Sequence, residues 1–112
     1  MNTSEMFSYE RAQRVLDYSA DASFGALSRD WLQASMQRKY VYNFDWMGRP
    51  IIQYPQDMVA MQELVWQVRP DLIIETGIAH GGSLILSASL LAMLDMCDAI
   101  EAGTTLDPPQ SS

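Results

Sequence analysis

The run Asp71-Leu72-Ile73-Ile74-Glu75-Thr76-Gly77-Ile78-Ala79-His80-Gly81-Gly82-Ser83 constrains the fold more than any other stretch of this 112-residue chain. A short apolar segment ends in a carboxylate, passes through a glycine-rich turn, and enters a long apolar segment opened by a serine. Leu72 to Ile74 shows no polar alternation, so it reads as a strand buried on both faces, as in a parallel sheet. The segment from about 83 to 99 is apolar over most of its circumference and reads as a helix packed between layers. A strand, tight loop and helix start in this order present unpaired backbone N–H groups to a nucleotide-like ligand.

Three ligand classes compete for such a junction. A triphosphate loop requires Gly-x-x-x-x-Gly-Lys-Ser/Thr. Gly77 and Gly82 have that spacing, but Ser83 and Leu84 occupy the lysine and hydroxyl positions. The dinucleotide fingerprint Gly-x-Gly-x-x-Gly fails at Ala79, where its second glycine belongs. What remains is Glu75, Gly77, Gly81 and Ser83 in the pattern Glu-x-Gly-x-x-x-Gly-x-Ser.

Charge bears on the ligand. The net charge is −7, and all seven basic residues (Arg11, Arg14, Arg29, Arg38, Lys39, Arg49, Arg69) precede Pro70. From Asp71 onward there are acids and no base, which excludes the basic footprint of a nucleic-acid site and favours a cationic or neutral ligand over a polyphosphate. Cys97 is the single cysteine, so neither a disulfide framework nor a thiolate metal cluster is expected. The polar, acidic first residues do not resemble a secretion or transit signal. The most apolar run, 84–94, is too short to span a bilayer and is interrupted by Ser87 and Ser89. A soluble, cytoplasmic protein with no membrane partner is the expectation.

Upstream, residues 8–19 are expected to form a helix with Val15, Leu16 and Tyr18 as its apolar stripe. A break follows at 20–25, and Ser28 is the expected N-cap of a second helix reaching about Lys39. Tyr40, Tyr42, Phe44 and Trp46 then alternate with Val41, Asn43 and Asp45, an extended pattern with one aromatic face. That face reads better as a small core covering a helix than as a stacking wall, because no basic residues are interleaved with it. Residues 47–50 signal a turn, with 51–54 as a short returning partner. A third helix begins at Pro55 or Asp57, presents Met58, Met61, Leu64, Val65 and Val68 at helical spacing, and ends at Arg69-Pro70. Gly103 is the expected terminator of the last helix, and 104–112 is a polar, proline-containing tail. The organisation expected is an N-terminal helical and aromatic cap region at 1–54, a helix–strand–glycine loop–helix unit at 55–103, and the tail.

The stretch 75–83 resembles the first cofactor motif of S-adenosylmethionine-dependent methyltransferases, in the catechol O-methyltransferase-like variant. Three blocks in order, 42–50 (Tyr-Asn-Phe-Asp-Trp-Met-Gly-Arg-Pro), 53–57 (Gln-Tyr-Pro-Gln-Asp) and 69–83, resemble more narrowly the cephalosporin hydroxylase/rhamnosyl O-methyltransferase family. The resemblance covers about 40–103 and implies an α/β fold: a truncated Rossmann-like methyltransferase fold, with N-terminal helices and the first strand–loop–helix unit. It implies S-adenosylmethionine as cofactor, and Mg²⁺ in full-length members, whose metal-binding acids have no counterpart here. By that resemblance Glu75, Thr76, Gly77, His80, Gly81, Gly82 and Ser83 form the cofactor-binding set. The glycines would let the backbone approach the cofactor, Ser83 would bind the methionine carboxylate, and Glu75 would accept from the ammonium. His80 reads equally well as a plain loop histidine. No catalytic residue is assigned.

Family members continue with a second strand carrying the ribose-binding acid, which this sequence does not show. The resemblance therefore implies the N-terminal portion of an O-methyltransferase acting on a sugar or secondary-metabolite hydroxyl, in lipid or polysaccharide biosynthesis, with little turnover as an isolated chain. The competing expectation is a non-catalytic helical module. Both allow a homo-oligomer, or a partner chain that completes the sheet.

Overall fold

The computed structural model describes residues 2–103. These fall into two compact units that meet at Arg38 and Lys39.

The first unit holds two helices, α1 (Thr3–Ala20) and α2 (Ala22–Gln37). Helix α1 begins earlier than its apolar stripe suggests because Asn2 and Glu5 form a reciprocal capping box that satisfies first-turn donors. The expected break at 20–25 shrinks to Asp21 alone, whose carboxylate accepts from the Phe24 N–H at 2.9 Å and caps α2. Ser28, expected as that cap, lies inside the helix and donates to the Phe24 carbonyl. Tyr18 and Phe24 stack across the junction at 5.2 Å.

The second unit is built on α4 (Gly82–Ala102), which supplies Leu86, Leu90 and Leu94 to a core shared with Ile51 and Val65. Lys39, in the left-handed conformation, leads into a 3-10 turn at Tyr40–Asn43. The aromatic alternation therefore becomes extended only at β1 (Phe44–Trp46), which pairs antiparallel with β2 (Arg49–Ile51), Phe44 opposite Ile51. Phe44 and Trp46 pack on the core, and the Trp46 indole N–H donates to the Ser89 hydroxyl at 3.2 Å, so these two take the covering role expected of the face, whereas Tyr42 is 63% exposed. Helix α3 (Pro55–Val68) starts with proline in its first turn and ends at Arg69, whose left-handed backbone lets its N–H reach the Val65 carbonyl. The Arg69 guanidinium lies 4.8 Å from the Trp66 ring centre and pairs with Asp98, fastening α3 to α4.

Leu72 to Ile74 departs from expectation. These residues have no strand partner, since the sheet consists of β1 and β2 alone among the described residues. Ile73 packs on the core, whereas Leu72 is 62% and Ile74 80% exposed, so the segment is not buried on both faces. An extended run keeps both faces covered only when neighbouring strands carry covering layers. The mixture of helices and a two-stranded antiparallel sheet is compatible with a truncated α/β fold. By length and composition α4 suffices to cross a membrane, being longer than the run 84–94, but Leu86, Leu90, Leu91 and Leu94 are buried within the chain. The tail 104–112 lies outside the described residues.

Candidate functional site: a carboxylate held at a glycine-loop helix start

Between Ile74 and α4 the chain makes a loop with three left-handed residues: Gly77 at φ +82, Ala79 at φ +43 and Gly81 at φ +86. The Gly81 N–H closes the turn on the Ile78 carbonyl at 2.6 Å. Gly81 is the N-cap of α4, so no side chain caps this helix and no acid sits in its first turn. The first-turn N–H groups therefore keep the partial positive charge of the helix dipole with no side-chain cap bonded to them.

Ser83, expected at the helix start, sits one residue inside it and turns its hydroxyl toward the carboxylate of Glu75 at 3.2 Å. Ser87, one turn further along the same face, donates to the same oxygen, Glu75 Oε1, at 2.6 Å. Ser87 is buried, and this bond satisfies it. Two hydroxyls thus fix the carboxylate of Glu75 over the start of α4. Its second oxygen, Oε2, accepts no side-chain hydrogen bond among the described residues, so it remains open to an external donor. Ser87 is the member of this cluster that the motif pattern misses. Its signal was the i, i+4 spacing to Ser83.

The two adjacent glycines serve the hairpin as much as the loop. A Cβ on Gly82 would lie 2.8 Å from the Ile51 Cβ and would run into the Pro50 carbonyl, so the bare backbone is what lets β2 lie against the helix start. A Cβ on Gly81 would meet the Arg49 guanidinium at 3.5 Å. Thr76, Gly77 and His80 are exposed on the loop. Of the expected set, the structure joins Glu75 and Ser83 directly and places Gly81 and Gly82 beneath them at the helix start. No group of three or more His, Cys, Asp or Glu gathers among the described residues.

A glycine loop thus opens onto a helix start with no side-chain cap, and the Glu75 carboxylate is tethered to that helix by Ser83 and Ser87. The rhamnosyl O-methyltransferase/CmcI family model matches residues 38–107, covering the whole second unit apart from its last residues. The chain belongs to that methyltransferase family. No curated protein and no solved structure matches it.

Proposed function

We propose that residues 75–83 form the amino-acid end of an S-adenosylmethionine site in an O-methyltransferase whose acceptor is a sugar or secondary-metabolite hydroxyl. The observation that carries this reading is the Glu75 carboxylate, held by Ser83 and Ser87 through one oxygen with the other oxygen open. Such an acceptor fits the ammonium of the methionyl group, and the uncapped N–H groups of α4 fit its carboxylate. When bound, the cofactor supplies an electrophilic methyl group. The residues of this chain bind and orient it. Thr76, Gly77 and His80 lie on the exposed side of the loop, where they would face the remainder of the ligand.

The reading extends to the sheet. Exposed Leu72 and Ile74 lead directly into the loop, and we assign them to a Rossmann-like parallel sheet whose other strands come from further polypeptide. The ribose-binding acid, any Mg²⁺ ligands and the residues of methyl transfer would come with those strands. Turnover by this chain alone is then expected to be negligible. A cytoplasmic location goes with this reading.

Calorimetric titration with S-adenosylmethionine at millimolar concentration tests it. Weak binding that disappears in Glu75→Ala and in Ser83→Ala is expected. Binding that both substitutions leave untouched would remove the site assignment. Affinity equal to that of a complete methyltransferase would remove the claim that half the pocket lies elsewhere.

A further inference from the structure

Helix α1 is 18 residues long and contributes no buried residue. A helix of this length is marginal in water unless one face is packed, and its capping box supplies only part of what packing would. At 3.6 residues per turn, Phe7, Arg11, Arg14, Val15 and Tyr18 share an arc of about 100°. Phe7 and Val15 are each 55% exposed, and the Arg11 guanidinium lies 4.9 Å from the Phe7 ring centre. Glu10 and Asp17 fall outside the arc, so this face is apolar and cationic, with no acid on it.

The second unit carries a feature of the opposite kind. An apolar groove of about 420 Å³ opens between α3 and α4, bordered by Trp46, Met58, Trp66, Leu90, Met93 and Cys97. Its lining runs from Pro55 to Trp66 on α3 and from Leu86 to Cys97 on α4. Each span is three helical turns, about 16 Å, which is also the length of the stripe from Phe7 to Tyr18. Methionine and tryptophan walls of this kind accept the apolar face of an amphipathic helix. Beside the Arg69–Asp98 pair at Trp66, the groove's rim carries two further acids. Glu63 follows Gln62 of the lining, and Glu101 stands one turn beyond Cys97. Both are exposed and make no ion pair or side-chain hydrogen bond among the described residues.

From matched length, apolar surface and opposite charge, we propose that α1 of one copy lies in the α3–α4 groove of a second copy. Phe7 and Val15 enter the groove with the aliphatic stem of Arg11 between them, and the guanidinium groups of Arg11 and Arg14 reach out to Glu63 and Glu101. Reciprocal exchange of the two helices closes a two-fold dimer and leaves no unpaired copy of either surface. The proposal does not depend on the cofactor reading, because Glu75, Ser83 and Ser87 are not among the residues that line the groove.

The test is size-exclusion chromatography with light scattering on the full chain, joined to cross-linking. The expected mass is twice the 12.6 kDa of the chain. A Val15→Cys variant treated with a short bismaleimide should couple to native Cys97 and give a product at dimer mass, which Cys97→Ser abolishes. Arg11→Glu with Arg14→Glu should weaken association about tenfold, and adding Glu63→Arg with Glu101→Arg should restore it. A monomer at all concentrations overturns the proposal. So does a cross-link found only at monomer mass, which would put the helix in its own chain's groove. A dimer that neither cross-links nor responds to the charge reversals overturns it as well.

Discussion

At Gly82 an added methyl group meets backbone, because the Pro50 carbonyl cannot swing aside as a flexible side chain would. Gly82→Ala should therefore cost about 1–3 kcal/mol, read as a lower urea midpoint at unchanged slope. At Gly81 the obstacle is conformational instead. Its φ of +86° disfavours any L side chain, while Arg49 can retreat, so Gly81→Ala should cost about 1–2 kcal/mol. An unchanged midpoint in Gly82→Ala would mean that the hairpin gives way. Ser87→Ala deletes the shorter of the two bonds to Glu75, from a residue only 4% exposed, and should cost about 1 kcal/mol. Ser83→Ala, which loses the 3.2 Å bond of a less buried hydroxyl, should cost less. These residues differ in how far the sequence discloses them. Glu75, the glycines and Ser83 stand in one continuous motif, whereas Ser87 first looks like a flaw in an apolar run. Its role appears only once the helix brings it round beneath the carboxylate.

Helices are the elements that periodicity exposes best, and α3 and α4 lie close to where the apolar spacing places them. Their ends are set by capping chemistry, which competes among neighbouring candidates. Ser28 and Asp21 are both good N-cap types, and Asp21 prevails because its carboxylate reaches the Phe24 N–H at 2.9 Å. Asp21→Ala should therefore lower stability by about 1 kcal/mol with a loss of far-UV helical signal, while Ser28→Ala should leave both nearly unchanged. Equal effects from the two substitutions would contradict the observed boundary. The aromatic stretch was half legible for a similar reason. Alternation announces an extended strand, but left-handed Lys39 starts a 3-10 turn, and Asn43 ties it down by donating to the Lys39 and Tyr40 carbonyls. Only Phe44 to Trp46 remain to pair. The link between α3 and α4 was not legible at all, since the ion pair of Arg69 with Asp98 spans 29 positions in sequence. Both side chains are well exposed, so Arg69→Ala should cost no more than about 1 kcal/mol, most of it in the contact with Trp66.

At the scale of the whole molecule, the segment that most constrained the fold is the one the chain leaves uncovered. Its apolar character predicts a strand buried on both faces, and that inference fails because burial is a property of neighbours. The two strands among the described residues pair only with each other, so no strand among them stands beside Leu72 or Ile74. Only Ile73 reaches the core. The chain alone should therefore tolerate a charge here: Ile74→Glu should shift stability by about 0.5 kcal/mol or less. Leu90→Ala, in the core at 5% exposure, should cost about 2–5 kcal/mol. If further strands pair with this segment, the same Ile74→Glu becomes prohibitive, because a carboxylate would then be buried between covering layers. Hydrogen exchange separates the two situations. The Ile73 and Ile74 amides should exchange fast in the chain alone, and slowly when polypeptide carrying the remaining strands is added to wild-type protein but not to Ile74→Glu. Slow exchange in the chain alone, with Ile74→Glu as damaging as Leu90→Ala, would show that this segment already has a strand partner in solution and would remove the need for any supplied from elsewhere.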